Sequence, residues 1–146
     1  MAKKSSALQI VLDLALARTI VVRDMERRLN SHGIGLSDLA LLKELQGSPN
    51  YQAQRSELAE RLGVTQSGIA RQLLPLERIG LVSRIGDAAD ARKAHVLLTE
   101  AGERTVHEVS EDAEDSAATA LSKQWTATDQ KTLSALVAKV RAVTPR

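Results

Sequence analysis

The chain of 146 residues has no cysteine and no phenylalanine, and tryptophan and tyrosine occur once each. Without cysteine it can form no disulfide, no thiol redox sensor and no cysteine-ligated metal site. Because aromatic residues make up only 1% of the chain, binding of single strands by stacking bases on aromatic rings is not expected. The core must therefore be built from leucine, isoleucine, valine and alanine.

Long apolar runs and catalytic groupings are also missing. No segment approaches the roughly 18 consecutive apolar residues of a membrane-spanning helix. The apolar stretch near the N-terminus faintly suggests a signal peptide, but Asp13 interrupts it and the amphipathic pattern continues past Met25, so we expect a cytoplasmic protein. The three histidines are scattered and no glycine-rich phosphate loop occurs. We therefore expect neither an enzyme nor a cofactor.

The segment from Ser56 to Gly102 has the pattern of two helices, a β-hairpin and the start of a third helix. Apolar residues at helical spacing end at Gly63, which readily takes a positive φ, and Val64 is expected to be an apolar plug in the turn. Thr65 can cap the second helix, because its hydroxyl accepts a backbone N–H of the first turn. Gly80 closes that helix.

The second helix has an apolar face and a polar face. The expected apolar stripe, at i, i+4, i+7 and i+10, consists of Ile69, Leu73, Leu76 and Ile79. At about 100° per residue, Ser67, Arg71 and Arg78 lie nearly opposite. Recognition helices present their base-reading side chains near the N-terminus, here Thr65, Gln66 and Ser67. Glutamine can pair with adenine and arginine with guanine, so we interpret these three residues and Arg71 as DNA-binding. The alternative is that they are ordinary solvated polar residues.

Two β-prone runs follow, at residues 81–85 and 93–98, joined by the polar loop 86–92. This is the pattern of a hairpin with a longer connection. The cations of the hairpin that we expect to contact DNA are Arg84, Arg92 and Lys93. Asp90 is expected to hold Arg92 in place, because a carboxylate can bind the guanidinium and leave other N–H groups for DNA.

These residues resemble the MarR family of bacterial transcriptional regulators. The similar parts are ELAERLGVTQSGIARQLLPLERIGLV, then D-A-R, then LTEAG. The resemblance implies a mainly α fold with a small β-hairpin wing, that is, a winged helix-turn-helix with N- and C-terminal dimerisation helices. Asp90 and Arg92 fit the D-x-R motif of the wing, whose arginine is implied to enter the minor groove. Pro75 falls inside the second helix, where related sequences often carry proline, so we expect it to be tolerated.

The flanks of the chain are apolar and helical. The first helix has the stripe Ile10, Leu14, Ala17, Val21 and Met25, and the last has Leu133, Leu136, Val137, Val140 and Val143. Thr126 and Asp129 form a capping pair at the start of the last helix. We expect one MarR-type domain over residues 1–146, with a DNA-binding lobe at about 36–98 and dimerisation helices at about 7–32 and 99–146. So much apolar surface predicts burial against a partner, although an intramolecular core could use part of it.

The resemblance to MarR implies that the two terminal regions interlock to form a homodimer. Such a dimer would read a pseudo-palindromic operator with half-sites about 10 bp apart. The distribution of charge along the chain can orient such a protein on DNA. The first 30 residues carry six bases and three acids, whereas residues 99–124 carry two bases and seven acids. The acidic helix should point away from phosphates.

The resemblance further implies a small phenolic or amphipathic ligand between the dimer helices and the DNA-binding lobes. The candidate ligand-binding residues are Arg18, Arg23, His32 and His107. A surface position near the end of a helix is the more favoured interpretation of His32. Glu103, His107 and Glu111 share a helix face at spacing that could hold zinc, but a solvated Glu/His face is commoner, so we expect no metal.

Together the patterns predict a sequence-specific regulator of transcription that binds double-stranded DNA. We expect a homodimeric repressor released by a small-molecule ligand. Two alternatives remain open. One is a winged helix that docks proteins without binding DNA, which an exposed Leu74 would favour. The other is a metal-responsive regulator of the same fold.

Overall fold

The computed structural model describes residues 6–86, 94–122 and 125–142, which form a helical body with one small sheet. Its elements in chain order are α1 (Ala7–Leu29), α2 (Leu36–Gln46), β1 (Gln52–Gln54), α3 (Arg55–Leu62), α4 (Gln66–Arg78), β2 (Val82–Ile85), β3 (His95–Leu98), α5 (Glu100–Ser122) and α6 (Ala127–Arg141). This is the predicted fold class. Within the described ranges, no helix is both long and apolar enough to cross a membrane.

The core is aliphatic, as the composition requires, and lies where α2, α3, α4, α5 and the sheet meet. Its fully buried side chains are Leu29, Leu41, Leu42, Leu45, Leu58, Ile69, Leu73, Leu76, Val96, Val106 and Val109. Side chains of this kind contribute about 1.5–3 kcal/mol each when transferred from water to the interior. Most of them belong to the segment between α2 and the middle of α5, so this segment carries the stability of the fold.

Three antiparallel strands form the sheet, in the order β1-β3-β2. The pattern of the sequence predicts β2 and β3 but not β1, whose residues Gln-Ala-Gln have low strand propensity. Ala53 of β1 is buried opposite Val96 of β3, and Val82 of β2 lies opposite Leu98. The third strand therefore forms because β3 offers it a partner edge and a place for one small apolar side chain.

The junction between β3 and α5 is closely packed. Thr99 caps α5, because its Oγ1 accepts a hydrogen bond from the Gly102 N–H at 3.1 Å and donates one to the Gly80 carbonyl at 2.6 Å. The Thr99 N–H donates to the Leu81 carbonyl at 3.1 Å. These bonds connect the start of α5 to the turn between α4 and β2.

The two terminal helices contribute little to the core. Along α1 only Met25 and Leu29 are buried, and α6 has no buried residue among those described. The predicted capping pair is confirmed: the Asp129 N–H donates to Thr126 Oγ1 at 3.2 Å, and the Thr126 N–H donates to Asp129 Oδ2 at 2.8 Å. Most of the apolar surface of α1 and α6 is thus left uncovered by the chain itself.

Candidate nucleic-acid interface

Helices α3 and α4 form a helix-turn-helix, and the turn between them is set by local sequence. Gly63 ends α3 in the left-handed region, at φ 67°, as predicted. Thr65 caps α4: its Oγ1 accepts a hydrogen bond from the Gly68 N–H at 3.0 Å and lies 3.2 Å from Ser67 Oγ. The prediction for Val64 is wrong. Its side chain is exposed, and the turn is closed instead by the backbone, where the Val64 N–H donates to the Ala59 carbonyl at 3.0 Å.

Helix α4 presents one buried and one exposed face. Ile69, Leu73 and Leu76 are buried as predicted, but Ile79 is 58% exposed. Ile79 is the C-cap of the helix, and ten helical steps of about 100° place it roughly 80° from Ile69, at the margin of the buried stripe. The residues on the exposed side include Thr65, Gln66, Ser67, Arg71, Leu74 and Arg78. Pro75 lies within the helix without ending it.

A chain of hydrogen bonds connects α4 to α2 and α1. Gln72 Nε2 donates to Asp38 Oδ1 at 3.1 Å, and Asp38 Oδ2 accepts the Gly35 N–H at 3.0 Å. One residue further on, the Leu36 N–H donates to Glu26 Oε1 of α1 at 2.8 Å. These carboxylates satisfy the free N–H groups at the start of α2. Together with the buried stripe of α4, the bond from Gln72 to Asp38 holds α4 against the start of α2.

Arg84 lies on β2, and its Nε donates to Glu77 Oε2 of α4 at 3.1 Å. Sequence reasoning did not identify Glu77 or Asp38 as part of the interface. Asp38 had a local signal, since an acid three residues after Gly35 suits a helix start. For Glu77 the only signal was its opposite charge to Arg84, seven residues along the chain. That spacing did not reveal the contact, because α4 ends at Arg78 between the two residues.

The tip of the predicted wing, with Asp90, Arg92 and Lys93, lies outside the described residues. Its two strands are described, and they pair as predicted over residues 82–85 and 95–98. The exposed Arg84 and Ile85 stand at the point where β2 runs toward the tip.

The four candidate ligand-binding residues are in separate surroundings. Arg18 and Arg23 are exposed on α1, and Arg23 Nε lies 3.8 Å from Asp24 Oδ1. His107 Nε2 lies 3.6 Å from Glu111 Oε1 on α5. Across the described parts of the chain, no group of three metal-ligating side chains is close enough to hold an ion.

His32 is a structural contact as well as a surface residue. Its Nε2 lies 3.0 Å from Asp112 Oδ2 of α5, and Arg28 Nη1 lies 3.4 Å from Asp112 Oδ1. The hydrogen bond from His32 is the main cause that lowers the pKa of Asp112 below its ordinary value. Burial opposes this effect, and the positive charge of Arg28 lowers the pKa further. This cluster connects the end of α1 to α5.

Comparison with known proteins agrees with this geometry. Residues 36–83 match a family described as "Winged helix-turn-helix DNA-binding". Comparison with curated protein sequences gives no match. Among solved structures, the transcriptional regulator BldR from Sulfolobus solfataricus is 26% identical with a TM-score of 0.82, and the match covers 98% of this chain and 100% of that one.

Two further similar structures contain DNA. Sco3205, a MarR family transcriptional regulator from Streptomyces coelicolor, was solved in complex with DNA; it is 23% identical, with a TM-score of 0.79 over 96% of this chain and 89% of that one. A mutant MarR from E. coli was solved with operator DNA; it is 23% identical, with a TM-score of 0.74 over 93% of this chain and 99% of that one. BldR and Sco3205 are both transcriptional regulators.

The helix-turn-helix, the three-stranded sheet and the hairpin define this chain as a winged helix-turn-helix protein. Over nearly its whole length it has the fold of the MarR family of transcriptional regulators. The fold that the resemblance to that family implied is therefore confirmed.

Proposed function

We propose that the protein is a transcription regulator that binds double-stranded DNA as a homodimer. The observation that carries the proposal is the exposed polar face of α4, which begins at the capped Thr65 and continues through Arg71 on a helix whose other face is fully buried. A helix held rigidly in this way can place Gln66, Ser67 and Arg71 against base edges in the major groove. Arg84, Arg92 and Lys93 supply cations beside it.

DNA is the partner that the charges favour. Phosphate contacts supply most of the affinity of such proteins, and a cation on each of the two elements, α4 and the wing, suits a phosphate backbone. The complexes of Sco3205 with DNA and of MarR with operator DNA support the same partner for this fold. We assign the DNA-binding lobe to residues of about 36–98.

Dimerisation is proposed through α1 and α6. Eight large apolar side chains of α1 are exposed, namely Leu8, Ile10, Val11, Leu12, Leu14, Leu16, Ile20 and Val21, and α6 exposes Leu136, Val137 and Val140. A soluble protein rarely leaves so much contiguous apolar surface uncovered. A second copy supplies the same surface by two-fold symmetry, and it places two α4 helices on one operator.

We further propose that the protein is a repressor released from its operator by a small phenolic or amphipathic ligand. Arg18, Arg23, His32 and His107 are the candidates for contact with that ligand. The dimer would have two conformations that differ in the spacing of its α4 helices. A ligand that binds one conformation more tightly than the other shifts the population toward that conformation.

The wing is proposed to act through Arg92, oriented by Asp90. If Asp90 has this task, Asp90→Ala weakens binding of the operator while the thermal unfolding of the protein stays the same. Unchanged affinity of this variant in a fluorescence-anisotropy titration would exclude the orienting role. Lys93→Ala serves as a comparison, since loss of a plain phosphate contact weakens binding equally for all sequences.

A protein-docking module is the second candidate, and one observation favours it. Leu74 on α4 and Ile79 at its end are 43% and 58% exposed, and apolar side chains on a winged helix can bind another protein. A protein-docking surface has no special need for the cations Arg71 on α4 and Arg92 on the wing, so these residues favour DNA binding.

The experiment that separates these functions is selection of bound duplexes from a random double-stranded pool, followed by measurement of affinity against salt. We expect enrichment of a palindrome and a logarithm of affinity that falls steeply with the logarithm of salt concentration. Retention of no duplex at low salt would refute DNA binding and favour the docking module. Binding of duplexes without any sequence preference would refute specific contacts between α4 and the base edges.

A further inference from the structure

Glu77 stands at the last turn of α4, one residue before its end, and carries a negative charge on a half-buried flank, beside the exposed face proposed to contact DNA. A carboxylate there repels phosphates unless a cationic side chain neutralises its charge. The group that does so is Arg84, whose Nε donates to Glu77 Oε2 at 3.1 Å. The side chains of Arg84 and Glu77 are 49% and 35% exposed, so the pair is accessible from outside.

The position of Arg84 follows from the register of the sheet. It lies two residues after the buried Val82 and directly opposite the buried Val96. Alternate residues of a strand share a face, so Arg84 starts on the face that packs against the helices. At the edge of the core its side chain meets the C-terminal turn of α4.

The hydrogen bond to Glu77 uses the Nε edge of the guanidinium. In the described part of the chain, Glu77 is the only side chain seen bonded to Arg84. A guanidinium is planar and presents its five N–H groups in a fixed fork. Holding the Nε edge therefore sets the direction of the terminal N–H groups, and these match the oxygens of a phosphate.

We propose that Glu77 is a positioning residue, which holds the guanidinium of Arg84 toward a phosphate of bound DNA. This role rests on the proposed function. It differs from the role of Asp90, because it links the recognition helix to the strand at the base of the wing rather than to the tip. The contact between Glu77 and Arg84 thereby fixes the position of the wing relative to α4 on the DNA backbone.

The test is a double-mutant cycle on the selected operator, with Glu77→Gln, Arg84→Ala and both changes together. Since Glu77 acts through Arg84, we expect Glu77→Gln to weaken binding about threefold, the scale of a surface ion pair, when Arg84 is present. In the Arg84→Ala background the same change should have no unfavourable effect. Arg84→Ala itself should weaken binding to all sequences and lower the salt slope by about one.

Two controls accompany the cycle. Glu103→Gln changes the net charge equally on the exposed, acidic side of α5 and should leave binding unchanged. Arg84→Lys keeps the charge but lacks the fork, so Glu77→Gln in this background should lose most of its effect. Thermal unfolding of each variant separates loss of a DNA contact from loss of folding.

Each other outcome contradicts the proposal. Tighter binding by Glu77→Gln in both backgrounds would mean that Glu77 only repels DNA. Equal weakening with and without Arg84, accompanied by a lower Tm, would mean that Glu77 only supports the fold. Unchanged binding would remove its role while the proposed function stands, whereas failure of the unsubstituted protein to bind any duplex would overturn the proposed function itself.

Discussion

At the scale of the residue, one glycine sets how closely α5 approaches the strands. A Cβ on Gly102 would overlap the carbonyl oxygen of Leu81 and would lie 2.6 Å from Leu98 Cδ1. Both neighbours are buried, and a backbone oxygen cannot turn away as a flexible side chain can. The sequence alone marks this glycine only as part of the LTEAG match, with no sign of the contact.

Gly102→Ala should therefore destabilise the fold by about 1–3 kcal/mol, the usual cost of overpacking. Chemical denaturation measures the change. The matched control is Gly47→Ala, where a Cβ would lie 3.6 Å from the Lys43 carbonyl oxygen, an ordinary contact, at a φ of −81°. Equal stability of the two variants would show that the backbone at the β3–α5 junction can shift to accommodate the Cβ at little cost in free energy.

Arg71 is the residue at which base reading is most directly tested. Arg71→Ala should reduce operator affinity by about 1–3 kcal/mol and relax the preference at one base pair. Titration of a set of single-base operator variants measures both effects. Arg104→Ala, on α5 and paired with Glu100, should change neither. Uniform weakening over all operator variants would instead assign Arg71 to a phosphate.

At the scale of the element, the joint between α1 and α5 depends on Asp112. This carboxylate accepts from His32 and lies beside Arg28, and both partners are at the end of α1 or in the turn that follows. Because its pKa is lowered in the folded protein, the ionised form is the one that stabilises the joint. That contribution is fully present above the ordinary value of 3.8 and is lost as pH falls through the lower folded value.

Asp112→Asn should accordingly lower the Tm at about pH 7, and the difference from the unsubstituted protein should shrink as pH falls below about 4. The matched comparison is Asp115→Asn, on the same helix and exposed. Thermal melts at several pH values measure the effect. A difference that stays constant down to low pH would show that the charge of Asp112 is not what joins the helices.

At the scale of the whole molecule, the chain folds around one end of α1 and leaves the other end bare. Leu8 and Leu16 are 68% and 64% exposed, although they lie in a regular helix of 23 residues. The C-terminal helix is held near the body by Arg141, whose Nη2 lies 3.3 Å from Glu44 Oε1 of α2. An exposed pair of this kind contributes little to stability. In the proposed dimer, burial against the second chain would be the larger stabilising interaction of α6 and of the exposed end of α1.

Leu16→Glu should raise the dissociation constant of the dimer on the order of a hundredfold, since it buries an unpaired charge in an apolar interface. Sedimentation equilibrium over a range of concentrations measures it. Ile79→Glu introduces the same charge at an exposed position at the end of α4 and should leave the dimer intact. A monomer in the unsubstituted protein at micromolar concentration would exclude the homodimer.

Local patterns predicted much of this fold because helices and caps depend on near neighbours. The caps at Thr65 and Thr126 join residues three positions apart, and the stripe of α4 follows from its period up to Leu76. The same reasoning failed at Ile79, the C-cap of the helix, which lies at the margin of the buried stripe. It also missed β1, because a strand of low propensity forms only where a partner strand is present.

By itself the sequence determined the helix-turn-helix, the pairing of the two wing strands and the aliphatic nature of the core. Each of these depends on spacing along the chain or on composition. The tertiary structure alone decided that Glu77 meets Arg84, that Asp38 holds Gln72, that Asp112 joins α1 to α5, and that Gly102 lies against Leu81. These contacts join residues on different elements, so they arise only when packing of the core brings those elements together.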